Sequence, residues 1–146
     1  MPFQFPLAAV LKYRASIERM EYLALEMIQL EIARTEAHIS QVDDWRRLAS
    51  EHRAAELARG VASIHVQGAY EHELALERYR DLLQNTLKEL RKNLQQHLKT
   101  YEVAHQKREI LDQLRGRQLD SYNRSQAKRQ QSVLDDLFLA RRNRGK

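Results

Sequence analysis

Glu102 and His105 stand three residues apart, the Glu-x-x-His spacing by which helical bundles present a carboxylate and an imidazole to a di-iron centre. Such a centre needs a second Glu-x-x-His pair and two further glutamates, and the sequence contains no second pair. A surface glutamate beside a solvated or seam-flanking histidine is the simpler reading. His38, His52, His65, His72 and His97 are scattered singly. There is no cysteine, so neither a thiolate metal site nor a disulfide framework can form. A glycine-rich phosphate loop, a nucleophile elbow and a paired-carboxylate motif are all missing. No catalytic residue, metal or cofactor is expected, and the chain reads as a protein that works by touching other proteins.

Two stretches carry side chains suited to that work. His72, Leu76, Tyr79 and Leu83 step by four, three and four, which lines them along one side of a helix. Leu76 and Leu83 can serve an internal seam while His72 and Tyr79 border it, so the stripe reads either as a wide seam or as a partner-binding face. The single tryptophan, Trp45, sits off the seam; it either packs across to another helix or serves as an exposed hot spot. The second stretch is the end of the chain. Arg124, Lys128, Arg129, Arg141, Arg142, Arg144 and Lys146 face only Asp135 and Asp136 there, so the tail carries the whole net charge of +5. A tail of this kind suits nucleic acid, an anionic membrane surface or an acidic protein patch.

The elements that position these residues follow from composition and period. With 146 residues the chain is one domain by length, yet it has only 4 glycines and 2 prolines, and Pro2 and Pro6 both precede any helix. Charged residues make up 31% and aromatics 7%, which fits a thin apolar seam rather than a thick core. No apolar run is long enough to span a bilayer, and no signal peptide is expected, because no basic residue precedes the apolar start. A cytoplasmic location is the default.

Leu25, Ile28, Ile32, Thr35, Ile39, Val42, Arg46 and Ala49 alternate steps of three and four, the heptad seam of a coiled coil. Upstream, the apolar positions slide by one to Val10, Tyr13, Ile17, Met20, Ala24 and Met27, predicting a broader stripe there. The pattern lapses between Ala58 and Ala69, where Gly60 and Gly68 fall, and Gly60 reads as a helix C-terminal stop. It resumes with Leu76, Arg80, Leu83, Leu87, Leu90, Leu94, His97, Tyr101, Ala104, Arg108 and Leu111.

The prediction is an all-α fold of two long helices forming an antiparallel coiled-coil hairpin. Helix 1 covers about 7–58, the tip about 59–69 and helix 2 about 70–142, so the C-terminal helix is longer. At 1.5 Å per residue the helices would span about 78 Å and about 108 Å, and the last ~20 residues of the second would project as a lone basic helix. Val133, Leu134, Leu137 and Phe138 on one side of that projection invite a partner.

The two ends of the chain resemble a known family. Phe3-Gln-Phe5-Pro-Leu7, then Val10-Leu11, Arg14 and Glu18, are similar to the opening of the flagellar export FliJ family. The basic, Leu-rich stretch from Lys107 to Arg115 resembles its later part, and Tyr122 with Asp135-Asp136-Leu137 resembles its closing segment. The likeness covers nearly the whole chain in layout. Gly116 and the Gln and Asn residues of the tail depart from the usual Glu/Lys-rich pattern.

The resemblance implies a non-enzymatic central stalk of the flagellar type III export apparatus, similar to the coiled-coil part of a rotary ATPase γ-subunit. Its implied partners are the export ATPase ring, the export-gate membrane protein and the export chaperones. It also implies a place at the inner face of the cell membrane, held there through the apparatus without direct insertion. By the γ-subunit analogy the end bearing both termini enters the ring, with Phe3, Phe5, Leu7, Leu11, Arg14, Arg115, Arg117, Arg124, Lys128 and Arg129 as the ring-binding set. The tip would then face the gate, with His72, Leu76, Tyr79 and Leu83 as the gate-binding set. A monomer is expected, and no nucleic acid, because Phe138 and Tyr122 are the only aromatics offered for base stacking by the basic tail. The alternatives are a basic coiled-coil nucleic-acid binder, a generic coiled-coil adaptor and the related injectisome stalk.

Overall fold

A computed structural model describes residues 2–60 and 63–145; Val61 and Ala62 of the anticipated turn, and the terminal Lys146, lie outside the described residues. The fold is all-α. Helix α1 runs Ala8–Ala58 and helix α2 runs Ser63–Arg144, so the second helix is the longer.

Each boundary has a local cause. Pro6, with its fixed φ and missing donor, precedes the first turn, where Ala8 donates to the Phe5 carbonyl at 3.1 Å and Leu11 to Leu7 at 2.9 Å. At the other end, the Arg59 amide is shared between the Ala55 and Glu56 carbonyls, both at 3.2 Å, so the last turn tightens. Gly60 then takes φ 72°, a left-handed conformation that glycine adopts without a Cβ clash.

The second helix starts earlier than the expected 70. Ser63 begins it, and Gly68 is inside it with an ordinary helical backbone. A helical glycine costs only about 1 kcal/mol relative to alanine. Packing offsets that cost, since Val66 and Ala69 are half-buried.

The chain forms two compact units. One comprises Glu21–Thr100 and the other Met1–Met20 with Tyr101–Lys146. The Glu21–Thr100 unit is a hairpin in which α1 and α2 run antiparallel, as the cross-pairs Arg53–Glu73, Asp43–Arg80 and Glu36–Arg91 require. Its core is Leu25, Thr35, Ile39, Val42 and Leu87, with Val42 at 1% exposure and Leu87 at 4%. Thr35 can sit there because its hydroxyl donates to the Glu31 carbonyl at 2.9 Å.

In the other unit Phe5 and Ala104 are buried, while Leu11, Ile17, Leu111 and Leu114 are half-buried. The non-helical start lies against α2, with the Phe3 and Tyr122 rings 5.6 Å apart. Beyond Gln126 every described residue of α2 is exposed.

The upstream slide of the seam is corrected. Met20 and Met27 are 64% and 67% exposed, and Val10 and Tyr13 are exposed as well. The covered face of α1 instead keeps the strict heptad through Leu11, Arg14, Glu18, Glu21 and Leu25, all buried or half-buried. Three charged residues occupy seam positions, and for Glu18 the reason is the pair of groups on α2 that meets it. Glu18 faces Arg108 and His105, while the Glu21 carboxylate stands 3.9 Å from His97 Nδ1.

Candidate protein-binding surfaces

Near the turn of the Glu21–Thr100 unit, a groove lies between the two helices. Trp45, Leu48, Ala49, His52 and Glu56 of α1 line one wall, and His65, Ala69, His72 and Leu76 of α2 line the other. Its volume of about 780 Å³ would hold several side chains of a partner. Trp45 is 46% exposed, so it forms a wall of the groove rather than closing the seam. The His52 ring is fixed by Glu56 at 2.9 Å, one helical turn away.

His72 and Leu76 enter this groove directly, whereas Tyr79 is exposed one turn further on and Leu83 is half-buried toward the seam. Of the α1 wall the sequence singled out Trp45 alone as a candidate for binding; Leu48, Ala49, His52 and Glu56 beside it were missed. The available signal was the three-and-four stepping of Trp45, Leu48 and His52 on a face next to the seam. A second hollow of the same hairpin is lined mostly by polar residues, Asp43, Arg46, Arg47, Ser50, Glu73 and Glu77, with Tyr70 and Leu74 among them.

In the unit that bears both termini, the ring-binding candidates divide by exposure. Phe5 is buried, and Phe3, Leu11 and Arg14 are half-buried, so these hold the start of the chain against α2. Leu7, Arg115, Arg117, Arg124, Lys128 and Arg129 are exposed and open to a partner. Further along, Leu134, Leu137, Phe138 and Arg141 with Asp135 border one shallow hollow, and Arg129, Gln130, Val133 and Leu134 border another. No helix covers this stretch within its unit.

The same unit contains a charged cluster at the seam. Arg108 donates through Nε and Nη2 to the two oxygens of Glu18, and Nη1 reaches Asp112 at 3.2 Å. His105 lies 3.4 Å from both Glu18 and Glu109. The Arg108 hydrogen bond holds the Glu18 carboxyl below its usual range; burial opposes this, and His105 adds to it. Arg108 is correspondingly held in its charged form, first by Glu18.

Glu102, the other half of the Glu-x-x-His spacing, is exposed, while the His105 contacts run to Glu18 and Glu109. Among the described residues, no group of three or more histidine, aspartate or glutamate side chains could hold a metal ion. Nor is any described helix long and apolar enough to cross a membrane.

Comparison with known proteins adds one match. The family model described as Flagellar FliJ protein matches residues 3–146. No curated protein and no solved structure matches the chain. The match spans both helices, the turn and the basic end, and so the chain belongs to the flagellar FliJ family, whose members serve flagellar export.

Proposed function

We propose that the chain is a non-enzymatic stalk and adaptor of the flagellar type III export apparatus. It inserts into the export ATPase ring and links that ring to the export gate and the export chaperones. The observation that carries this reading is the end of the molecule where α2 continues past the Phe3–Tyr122 contact as an uncovered basic helix. A helix in a ring needs many weak, similar contacts on its outside. Leu7, Arg115, Arg117, Arg124, Lys128 and Arg129 supply an apolar residue and five exposed cations there. Phe3, Phe5, Leu11 and Arg14 act from within by holding the N-terminal segment in place.

The gate-binding role falls to the groove. His72 and Leu76 present the α2 wall, Tyr79 extends it one turn beyond the groove, Trp45 adds an aromatic anchor from α1, and Leu83 backs the stripe from the seam. On this reading the protein is cytoplasmic, acts as a monomer and meets the membrane only through the gate. A nucleic-acid binder is disfavoured because the basic helix offers Phe138 as its single exposed ring beyond Tyr122.

The test is a pull-down of the purified export ATPase and the cytoplasmic part of the gate protein with the full-length chain. Retention of both is expected. If neither is retained at physiological salt, the stalk reading fails.

A further inference from the structure

We propose that the uncovered stretch of α2 is a docking face for an acidic amphipathic helix of a partner protein. This goes beyond the stalk reading, which requires only that ring segments touch the outside of the helix.

Continuity with the established interface is the first argument. The face of α2 that covers the N-terminal segment passes through Leu111, Leu114, Gln118, Tyr122 and Gln126, all half-buried. At 100° per residue the same face continues through Val133 and Leu137, since Leu111, Tyr122 and Val133 recur every eleven residues. A face that already accepts another segment of chain therefore runs on for about five turns with nothing upon it. Val133, Leu134, Leu137 and Phe138 make it a narrow apolar stripe, and all four are more than half exposed. A stripe one residue to two residues wide matches another helix by ridge and groove.

Charge selects the occupant. Arg129 borders the hollow at Val133 and Leu134, and Arg141 borders the one at Leu137 and Phe138. Asp135 shares the second hollow but accepts a hydrogen bond from Gln131 Nε2 at 3.1 Å. Arg124, Lys128, Arg142 and Arg144 add further exposed cations. A second copy of this helix would set cations against cations in either orientation, at a cost rather than a gain. An acidic partner helix would meet the apolar stripe and the flanking arginines together, forming charge-assisted contacts.

The experiment uses the full-length chain and two labelled synthetic helical peptides with the same leucine stripe, one flanked by glutamates and its twin by lysines. Anisotropy should show the acidic peptide binding at least about tenfold more tightly than the twin. Leu137→Asp should lose at least about tenfold of that affinity. Leu139→Asp, on the opposite side of the same helix, should retain it. Equal binding of the twins, no binding, or equal loss from both substitutions overturns the proposal. So does Leu137-dependent binding to phosphatidylglycerol vesicles without peptide binding, or Leu137-dependent self-association in sedimentation. Peptide failure with the ATPase pull-down intact sinks this face alone; the reverse result sinks the stalk reading alone.

Discussion

Arg108 and Glu18 meet across the seam with two hydrogen bonds, Nε to Oε2 at 2.5 Å and Nη2 to Oε1 at 3.4 Å. Both side chains are less than a quarter exposed. The pair occupies a position where a coiled coil ordinarily places leucine. Its contribution is modest in water-accessible surroundings, at most about 1 kcal/mol. Glu18→Ala and Arg108→Ala should each destabilise, and the double variant should cost less than the sum. Additive losses in a urea double-mutant cycle would show that the two are not coupled.

The same pair sets a pH dependence. The folded-state pKa of Glu18 is lowered from 4.5, so its contribution is fully present above about pH 4.5 and fades as pH falls through the lower, folded value. Glu18→Gln should therefore flatten the acid limb of stability below that pH while leaving the neutral-to-alkaline range nearly parallel to wild type. Identical acid limbs in the two proteins would rule this out.

Seam and surface positions should separate cleanly by substitution with aspartate. Leu87→Asp or Ile32→Asp places an unpaired charge between the helices and should cost on the order of 3 kcal/mol or more. Met20→Asp and Met27→Asp, on the exposed side, should stay within about 0.5 kcal/mol. Thermal melting followed by circular dichroism distinguishes these outcomes, and strong destabilisation from Met27→Asp would restore the slid seam.

The glycines should respond with opposite signs. Gly60→Ala forces a Cβ into a left-handed conformation and should destabilise by about 1 kcal/mol. Gly68→Ala and Gly116→Ala lie in helix with nothing within 4 Å of the new Cβ, so each should stabilise by about 0.5–1 kcal/mol. Melting temperatures moving the same way at all three positions would contradict the assigned turn.

In the groove Trp45→Ala, and one turn beyond it Tyr79→Ala, should weaken gate binding by about tenfold each, with helicity unchanged, because both rings are about half exposed. Loss of helicity together with binding would return either ring to a structural role.

Truncation at residue 132 should leave the melting transition intact, since residues 133–145 have no facing helix. ATPase-ring binding should weaken more at low salt than at high salt, because the removed arginines act through screened charge. Single Arg→Ala changes along the basic end should matter little. Full ring binding by the truncated chain at physiological salt would reduce this stretch to a solubilising tail with respect to the ATPase.

Much of this architecture was legible in the residues themselves. Leu25 to Ala49 on α1 and Leu76 to Leu111 on α2 carry the three-and-four period that a buried seam demands, and all of those positions are buried or half-buried. Gly60 announced the turn, since only a residue without a Cβ takes φ 72° at no steric cost. Three features depended on tertiary structure. Arg14, Glu18 and Glu21 lie on the covered face though an apolar count passes over them; for Glu18, what makes the place tenable is His105 and Arg108, many residues away in the chain. The start of α2 at Ser63 depended on packing that offset the helix cost of Gly68. The groove beside Trp45 has one wall on each helix, so neither stretch of sequence contains it. Periodicity reports which face of a helix is covered, because burial of apolar groups is a local tally; which polar residue is admitted to that face is decided by the charge that meets it from the other helix.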